Sequence, residues 1–216
     1  MSRVKIKVCG ITNKSDAEKA VELGADYIGM IFAPTSSRCV KPNGAAQIVK
    51  AIGGRCKTVG VFQNASMETI KRVREEVGFD LVQLHGEETA ELVDAISPAV
   101  KAISFDGEMD KTQVHTFSPI CEFLLFDRPK RIQDSRWLMR VMNMNEWEEI
   151  TTPFLFAGGL NSFNVGDAVL GLSVSPGFKG IDVASGIESA PGLKDHKKME
   201  EFFLSVKEVA ANAITR

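Results

Sequence analysis

The chain has 216 residues, with 26 basic and 28 acidic side chains for a net charge of −2, and 44% of its residues are apolar and 25% charged. These fractions are those of an ordinary folded protein and exclude a disordered, collagen-like or coiled-coil chain. A charge this close to neutral gives neither nucleic acid nor an anionic membrane a reason to bind, so neither is expected as a partner.

The first residues, Met1-Ser-Arg-Val-Lys-Ile-Lys-Val8, alternate charged and β-branched side chains and have no apolar signal-peptide core. The longest apolar stretches, such as residues 27–34, fall far short of the ~18 residues of a membrane span. Cys9, Cys39, Cys56 and Cys121 are scattered, without C-x-x-C or zinc-finger spacing, which suits reduced thiols. At ~150 residues per domain, the expectation is a cytoplasmic protein with one domain over residues 1–216.

In chain order, strands are expected at residues 4–8, 27–32, 58–62, 81–84, 100–103, 122–126, 154–157 and 181–183, with starts 19 to 32 residues apart. Helical segments fill the gaps. Ser15-Asp-Ala-Glu18 has the form of a capping box, and Gly24 closes the helix behind it. Pro42 and Asn43 open a segment that ends at Gly53-Gly54. Ser66 stands before residues 67–77, where Ile70, Val73 and Val77 share one stripe and Gly78 ends it. Ser162 is the expected cap of residues 163–170. Residues 195–213 carry Met199, Phe202, Phe203, Val206 and Ala210 near helical spacing.

Ile28-Gly-Met-Ile-Phe32, Val59-Gly-Val-Phe62 and Phe123-Leu-Leu-Phe126 are apolar without alternation, as strands covered on both faces are. Eight such strand–helix units in one short chain predict a (β/α)8 barrel. A doubly wound open sheet has the same spacing and is the alternative.

Chemistry in such a barrel gathers at the C-terminal ends of the strands, which singles out Cys9, Arg38, His85, Asp127, Gly158-Gly159 and the stretch 182–186. Phe156-Ala-Gly-Gly-Leu-Asn161 and Asp182-Val-Ala-Ser-Gly-Ile-Glu188 follow the seventh and eighth strands. Glycine there lets backbone N–H groups approach an anion closely, so a phosphate cradle is favoured over plain tight turns. Cys56 and Cys121 read as small hydrophobes, and Cys39 as a loop residue. Cys9 differs because at the rim a thiol serves as nucleophile or base. Asp127 either caps the next helix or, where burial favours its protonated form, donates a proton; with Cys9 it makes a candidate acid–base pair. His85 fits a structural role as well as a catalytic one. His115, His196 and the run Lys194-Asp-His-Lys-Lys198 read as solvated. No H-E-x-x-H or carboxylate–histidine cluster is present, so no metal is expected.

Six segments, in one order and spread over nearly the whole chain, resemble phosphoribosylanthranilate isomerase. They are Lys7-Val-Cys-Gly-Ile-Thr12, Gly29-Met-Ile-Phe-Ala-Pro-Thr-Ser-Ser-Arg38, Val59-Gly-Val-Phe-Gln-Asn64, Val82-Gln-Leu-His-Gly-Glu87, Ala157-Gly-Gly-Leu-Asn161 and Gly180-Ile-Asp-Val-Ala-Ser-Gly-Ile-Glu188. The resemblance implies a TIM barrel of tryptophan biosynthesis that needs no cofactor and takes a small phosphoribosyl substrate as a monomer or homodimer. The implied reaction is the Amadori rearrangement of N-(5-phosphoribosyl)anthranilate to 1-(o-carboxyphenylamino)-1-deoxyribulose 5-phosphate.

Carried over by motif, Cys9 is the general base and Asp127 the general acid. Arg38 meets the anthranilate carboxylate, and His85 and Asp182 are pocket residues. The backbone at Gly158, Gly159, Ser185 and Gly186 holds the phosphate. Two places depart from the family's pattern. Ala184 stands where serine is common, and the glycine-rich sixth loop is replaced by Asp127-Arg-Pro-Lys-Arg-Ile-Gln-Asp-Ser-Arg-Trp137, which has no glycine and is positive through Arg128, Lys130, Arg131 and Arg136. The other readings are a paralogue that isomerises a different phosphoribosyl amine and a non-catalytic barrel that binds a sugar phosphate.

Overall fold

A computed structural model describes residues 3–214, apart from 130, 133, 135 and the side chains of 210–214. Eight parallel strands form a closed ring in sequence order: β1 (Lys5–Cys9), β2 (Tyr27–Ile31), β3 (Lys57–Phe62), β4 (Leu81–Leu84), β5 (Ala99–Ser104), β6 (Phe123–Asp127), β7 (Phe154–Phe156) and β8 (Phe178–Val183). The ring closes where Ile6 pairs with Ile181 and Val8 with Val183. That closure gives the expected (β/α)8 barrel and excludes the open sheet.

Helices follow the strands in turn: α1 (Lys14–Leu23), α2 (Pro42–Ile52), α3 (Met67–Val77), α4 (Ala90–Ala95), α5 (Lys111–Phe117), α6 (Trp137–Met142), α7 (Val165–Leu172) and α8 (His196–Ile214). None of the described helices is long and apolar enough to cross a membrane.

The missing alternation in the strand sequences has a direct cause. Val59, Val61, Val100, Phe123, Leu125 and Leu155 fill the barrel interior, while their neighbours Ile28, Leu124, Phe126 and Phe154 are buried beneath the helices. Over these stretches both faces are covered, so both are apolar. On the sixth and seventh strands the outer layer is aromatic. Trp137 stacks on Phe156 at 5.8 Å between ring centres, and Trp147 stacks on Phe154 at 5.2 Å. Trp137 is fully buried and fixes where the sixth loop ends.

Helix starts differ from expectation in two places. Asn13, not Ser15, caps α1, its side-chain oxygen accepting from the Asp16 N–H at 2.9 Å. Asparagine competes well at this position, and Ser15 already lies inside the first turn. The seventh helix begins at Val165 rather than after Ser162. Asn161 and Asn164 take up the intervening residues as turns, with Asn161 N–H donating to Asn164 Oδ1 and Phe163 N–H to Asn161 Oδ1. Ser66 does cap α3, and Gly24, Gly53 and Gly78 end their helices with left-handed backbone. A short hairpin of β9 (Glu188–Ala190) and β10 (Leu193–Lys194), absent from the sequence reading, folds back over the end of β1. The Lys194 N–H donates to Asp16 Oδ2 there, at 2.8 Å.

Candidate active site

The strand ends open at one mouth, and its floor begins on β1. Alternation along that strand sends Lys7 and Cys9 to the same inner face, and both are buried. Lys7 Nζ donates to Asp182 Oδ1 on β8 at 2.9 Å, with the lysine side chain wholly enclosed. Gly29 on β2 makes room for the sulfur: a Cβ there would stand 2.9 Å from Cys9 Sγ and 3.2 Å from Lys7 Nζ. Burial pushes the Cys9 thiol above its ordinary value, against the pull of the Lys7 ammonium. Cys56 and Cys121 are half-buried, and burial pushes both thiols up to about 11, so they stay protonated.

Across the mouth, His85 Nε2 lies 3.3 Å from Asp127 Oδ2. Gln83, one step below on β4, places Nε2 3.3 Å from His85 Nδ1. With Gln83 as donor, Nδ1 accepts and the ring proton sits on Nε2, facing the carboxylate. The Asp127 side chain keeps 29% of its surface open, so the carboxyl sits on the rim rather than in a sealed apolar pocket. Asp182 links the two sides, being bonded to Lys7 and within electrostatic reach of Asp127 and His85.

Arg38 lies beside Cys9 because Gly10, at φ 74°, turns the chain after β1 and leaves space that a Cβ would deny, only 2.6 Å from Arg38 Cδ. The guanidinium grips Glu188 through Nε at 2.8 Å and Nη2 at 2.6 Å. Among the described residues Nη1 has no partner. Glu188 is fixed in turn by Lys194, whose Nζ also donates to the carbonyls of Cys9 at 2.7 Å and Ala184 at 3.0 Å. This corrects the solvated reading for Lys194: while Lys197 and Lys198 are exposed at the helix start as expected, the Lys194 side chain is fully enclosed. His196 is likewise held, 2.9 Å from the buried Asp16.

The glycine loops after β7 and β8 meet. Gly158 (φ 117°) and Gly159 (φ 76°) use backbone that other residues rarely adopt, and a Cβ on Gly186 would collide with the Leu160 carbonyl. Ser185 and Gly186 form a tight helical turn beside them. Arg128 presses on this pair. A Cβ on Gly158 would be 2.6 Å from Arg128 Cβ, and one on Gly159 2.7 Å from Arg128 Nη2. The guanidinium lies 5.5 Å from the centre of the Trp137 ring. Arg131 instead reaches Asp106 at 2.8 Å, in an exposed pair, and Arg136 is exposed. Lys130 falls outside the described residues.

Sequence reasoning therefore assembles Cys9, Arg38, His85, Asp127, Asp182 and both glycine loops at one mouth, and misses Lys7, Gln83, Glu188, Lys194 and Arg128 as site residues. Lys7 had a usable signal: it is a charged residue two positions before Cys9 on a strand buried on both faces. Lys194 and Glu188 pair only six residues apart, but their bonds to Cys9 and Arg38 reach across the chain and leave no local signal.

The family model of N-(5'-phosphoribosyl)anthranilate isomerase matches residues 6–205. The isomerase of Paramagnetospirillum magneticum is 35% identical, over 94% of this chain and 97% of its own length. That of Bacillus mycoides is 37% identical, over 95% and 98%. The crystal structure of phosphoribosylanthranilate isomerase from Thermotoga maritima superimposes with a TM-score of 0.81 at 32% identity, over 95% of this chain and 99% of that one. A solved isomerase in complex with reduced 1-(o-carboxyphenylamino)-1-deoxyribulose 5-phosphate gives 0.75 at 32% identity, with the same shares covered. With a family match over residues 6–205 and relatives above 30% identity over nearly the whole chain, the chain belongs to the phosphoribosylanthranilate isomerase family.

Proposed function

We propose that Cys9 and Asp127 carry out the family's reaction, the Amadori rearrangement of N-(5-phosphoribosyl)anthranilate, as general base and general acid. Asp127 gives a proton to the ribose ring oxygen as the C1–O bond breaks and the C1–N bond becomes an iminium. The iminium acidifies the C2 hydrogen, which the Cys9 thiolate removes. The resulting enolamine takes a proton at C1 and gives up the proton of its 2-hydroxyl, becoming the 2-ketone, so protons balance and nothing is oxidised. Each positioned transfer contributes ~10²–10⁴ in rate.

The backbone of Gly158, Gly159, Ser185 and Gly186 takes the phosphate, with the Arg128 guanidinium beside it. Phosphate held away from the reacting carbons sets their orientation. Arg38, steadied by Glu188, meets the anthranilate carboxylate through its open Nη1. His85 holds Asp127, and Asp182 shapes the floor. The relative that binds a reduced product analogue supports a small phosphoribosyl ligand for this mouth. Residues 1–216 act as one cytoplasmic domain, as a monomer or homodimer.

The observation that supports this reading is that Cys9 and Asp127 end β1 and β6 at the same mouth, with Asp182, bonded to Lys7 and within electrostatic reach of Asp127, and the glycine loops alongside. Family membership over residues 6–205 gives the paralogue and the non-catalytic barrel no comparable support. The test is turnover of freshly generated phosphoribosylanthranilate by the wild type, Cys9→Ser and Asp127→Asn. Turnover by the wild type and loss in both variants is expected. A wild type that binds phosphate sugars but leaves this substrate unchanged contradicts the reading.

A further inference from the structure

A buried base has a difficulty: burial favours the thiol over the thiolate that must accept the proton. Cys9 is 6% exposed, so a nearby positive charge has to offset that penalty. Lys7 is placed to do so. It shares the inner face of β1 with Cys9, its side chain is wholly enclosed, and Asp182 Oδ1 fixes its Nζ at 2.9 Å. The ammonium and the sulfur both crowd Gly29, within 3.2 Å and 2.9 Å of where its Cβ would be. Two groups against one point of backbone are neighbours.

We propose that Lys7 is a positioning residue for the isomerisation, its ammonium, anchored by Asp182, making the Cys9 thiolate available and fixing the sulfur in the mouth. The inference rests on the reading of Cys9 as base. Other charged groups also face Cys9. Asp182 on β8 opposes the thiolate. Lys194 on β10 favours it but is spent on Glu188 and two carbonyls. Arg38, on the segment after β2, also favours it and is paired with Glu188. Asp127 and His85 stand on the far side and pair with each other. Lys7 is therefore the cation that acts most on the sulfur, and it stays charged: burial pulls its pKa down, but Asp182 and Cys9 together hold it above the ordinary lysine value.

The test reads Cys9 itself. Wild type, Lys7→Met and Lys7→Arg are treated with iodoacetamide over a range of pH, and alkylation is resolved by peptide mass spectrometry, with the exposed Cys39 as internal reference. The Cys9 midpoint is expected to rise by ~1–2 pH units in Lys7→Met, to move little in Lys7→Arg, and to leave Cys39 unchanged. The acid limb of kcat/KM on phosphoribosylanthranilate moves to higher pH with it. A purely structural lysine would lower activity without moving either midpoint. Should Lys7→Met not fold by circular dichroism, Lys7→Gln keeps a donor to Asp182 without the charge and carries the same comparison. Wild-type turnover with an unmoved Cys9 midpoint overturns the proposal alone. A moved midpoint in a protein without turnover overturns the isomerase reading beneath it.

Discussion

At the scale of single residues, Asp127 combines access with a fixed orientation: its carboxyl is partly open and faces His85 at 3.3 Å. Asparagine keeps the shape but cannot deliver a proton. Asp127→Asn is expected to lower kcat by ~10²–10⁴ while inorganic phosphate competes as well as in the wild type. Equal loss of turnover and phosphate affinity would contradict the acid role. Gly29→Ala tests the crowding behind Cys9. The added methyl must displace the sulfur or the ammonium, costing about 1–3 kcal/mol as overpacking and lowering kcat together. Urea unfolding and steady-state rates check both, and unchanged values would show that the space is not needed. Cys9, His85, Asp127 and Asp182 were legible because a barrel brings every strand end to one mouth. Lys194 was not, because its partner Cys9 lies 185 residues away and a local pattern of Lys-Asp-His-Lys-Lys reads as solvated wherever it occurs.

At the scale of elements, caps and glycine stops were readable where one residue type decides. Ser66 accepts from the Thr69 N–H at 3.2 Å, so Ser66→Ala is expected to cost ~1 kcal/mol in urea unfolding with turnover unaffected. The starts of α1 and α7 were misread because asparagine side chains organise the turns there, Asn13 capping α1 and Asn161 and Asn164 holding the residues before α7. The sixth loop shows another limit of local pattern. Its charges are plain in the sequence, yet only the fold separates Arg128, laid against Gly158-Gly159 and the Trp137 ring, from Arg131, turned out to Asp106. Gly158→Ala meets both a left-handed backbone (φ 117°) and Arg128 Cβ at 2.6 Å. It is expected to destabilise by about 1–3 kcal/mol and to raise KM by dislodging the loop from the cradle. A variant with wild-type stability and KM would show that loop and cradle are independent.

At the scale of the whole molecule, buried ion pairs tie the ring together at long sequence separation. Lys7–Asp182 spans the β1–β8 closure, and Lys101–Glu88 joins β5 to the loop before α4. Burial alone would raise Glu88, but the Asn64 N–H, the Lys101 ammonium and the Gly86 N–H outweigh it and hold the carboxyl below its usual range. Glu188 is held down likewise, Arg38 and Lys194 outweighing burial. A carboxylate whose folded pKa is depressed contributes stability that is complete above the unfolded value of ~4.3 and fades as pH falls through the folded value. Stability is therefore expected to drop on acidification below about pH 4, with Glu88 a main contributor because its side chain is 1% exposed. Glu88→Gln keeps the shape and one acceptor oxygen but leaves Lys101 without its counter-charge. Urea unfolding should find it less stable than wild type at pH 7 by about 1–3 kcal/mol. The gap should narrow as the pH is lowered from about 4 towards 3 and the wild-type carboxyl begins to take up its proton. A gap that stayed constant down to that pH would assign the contribution of Glu88 to packing and hydrogen bonding rather than charge, and would leave the acid limb to Glu188 and its two cations.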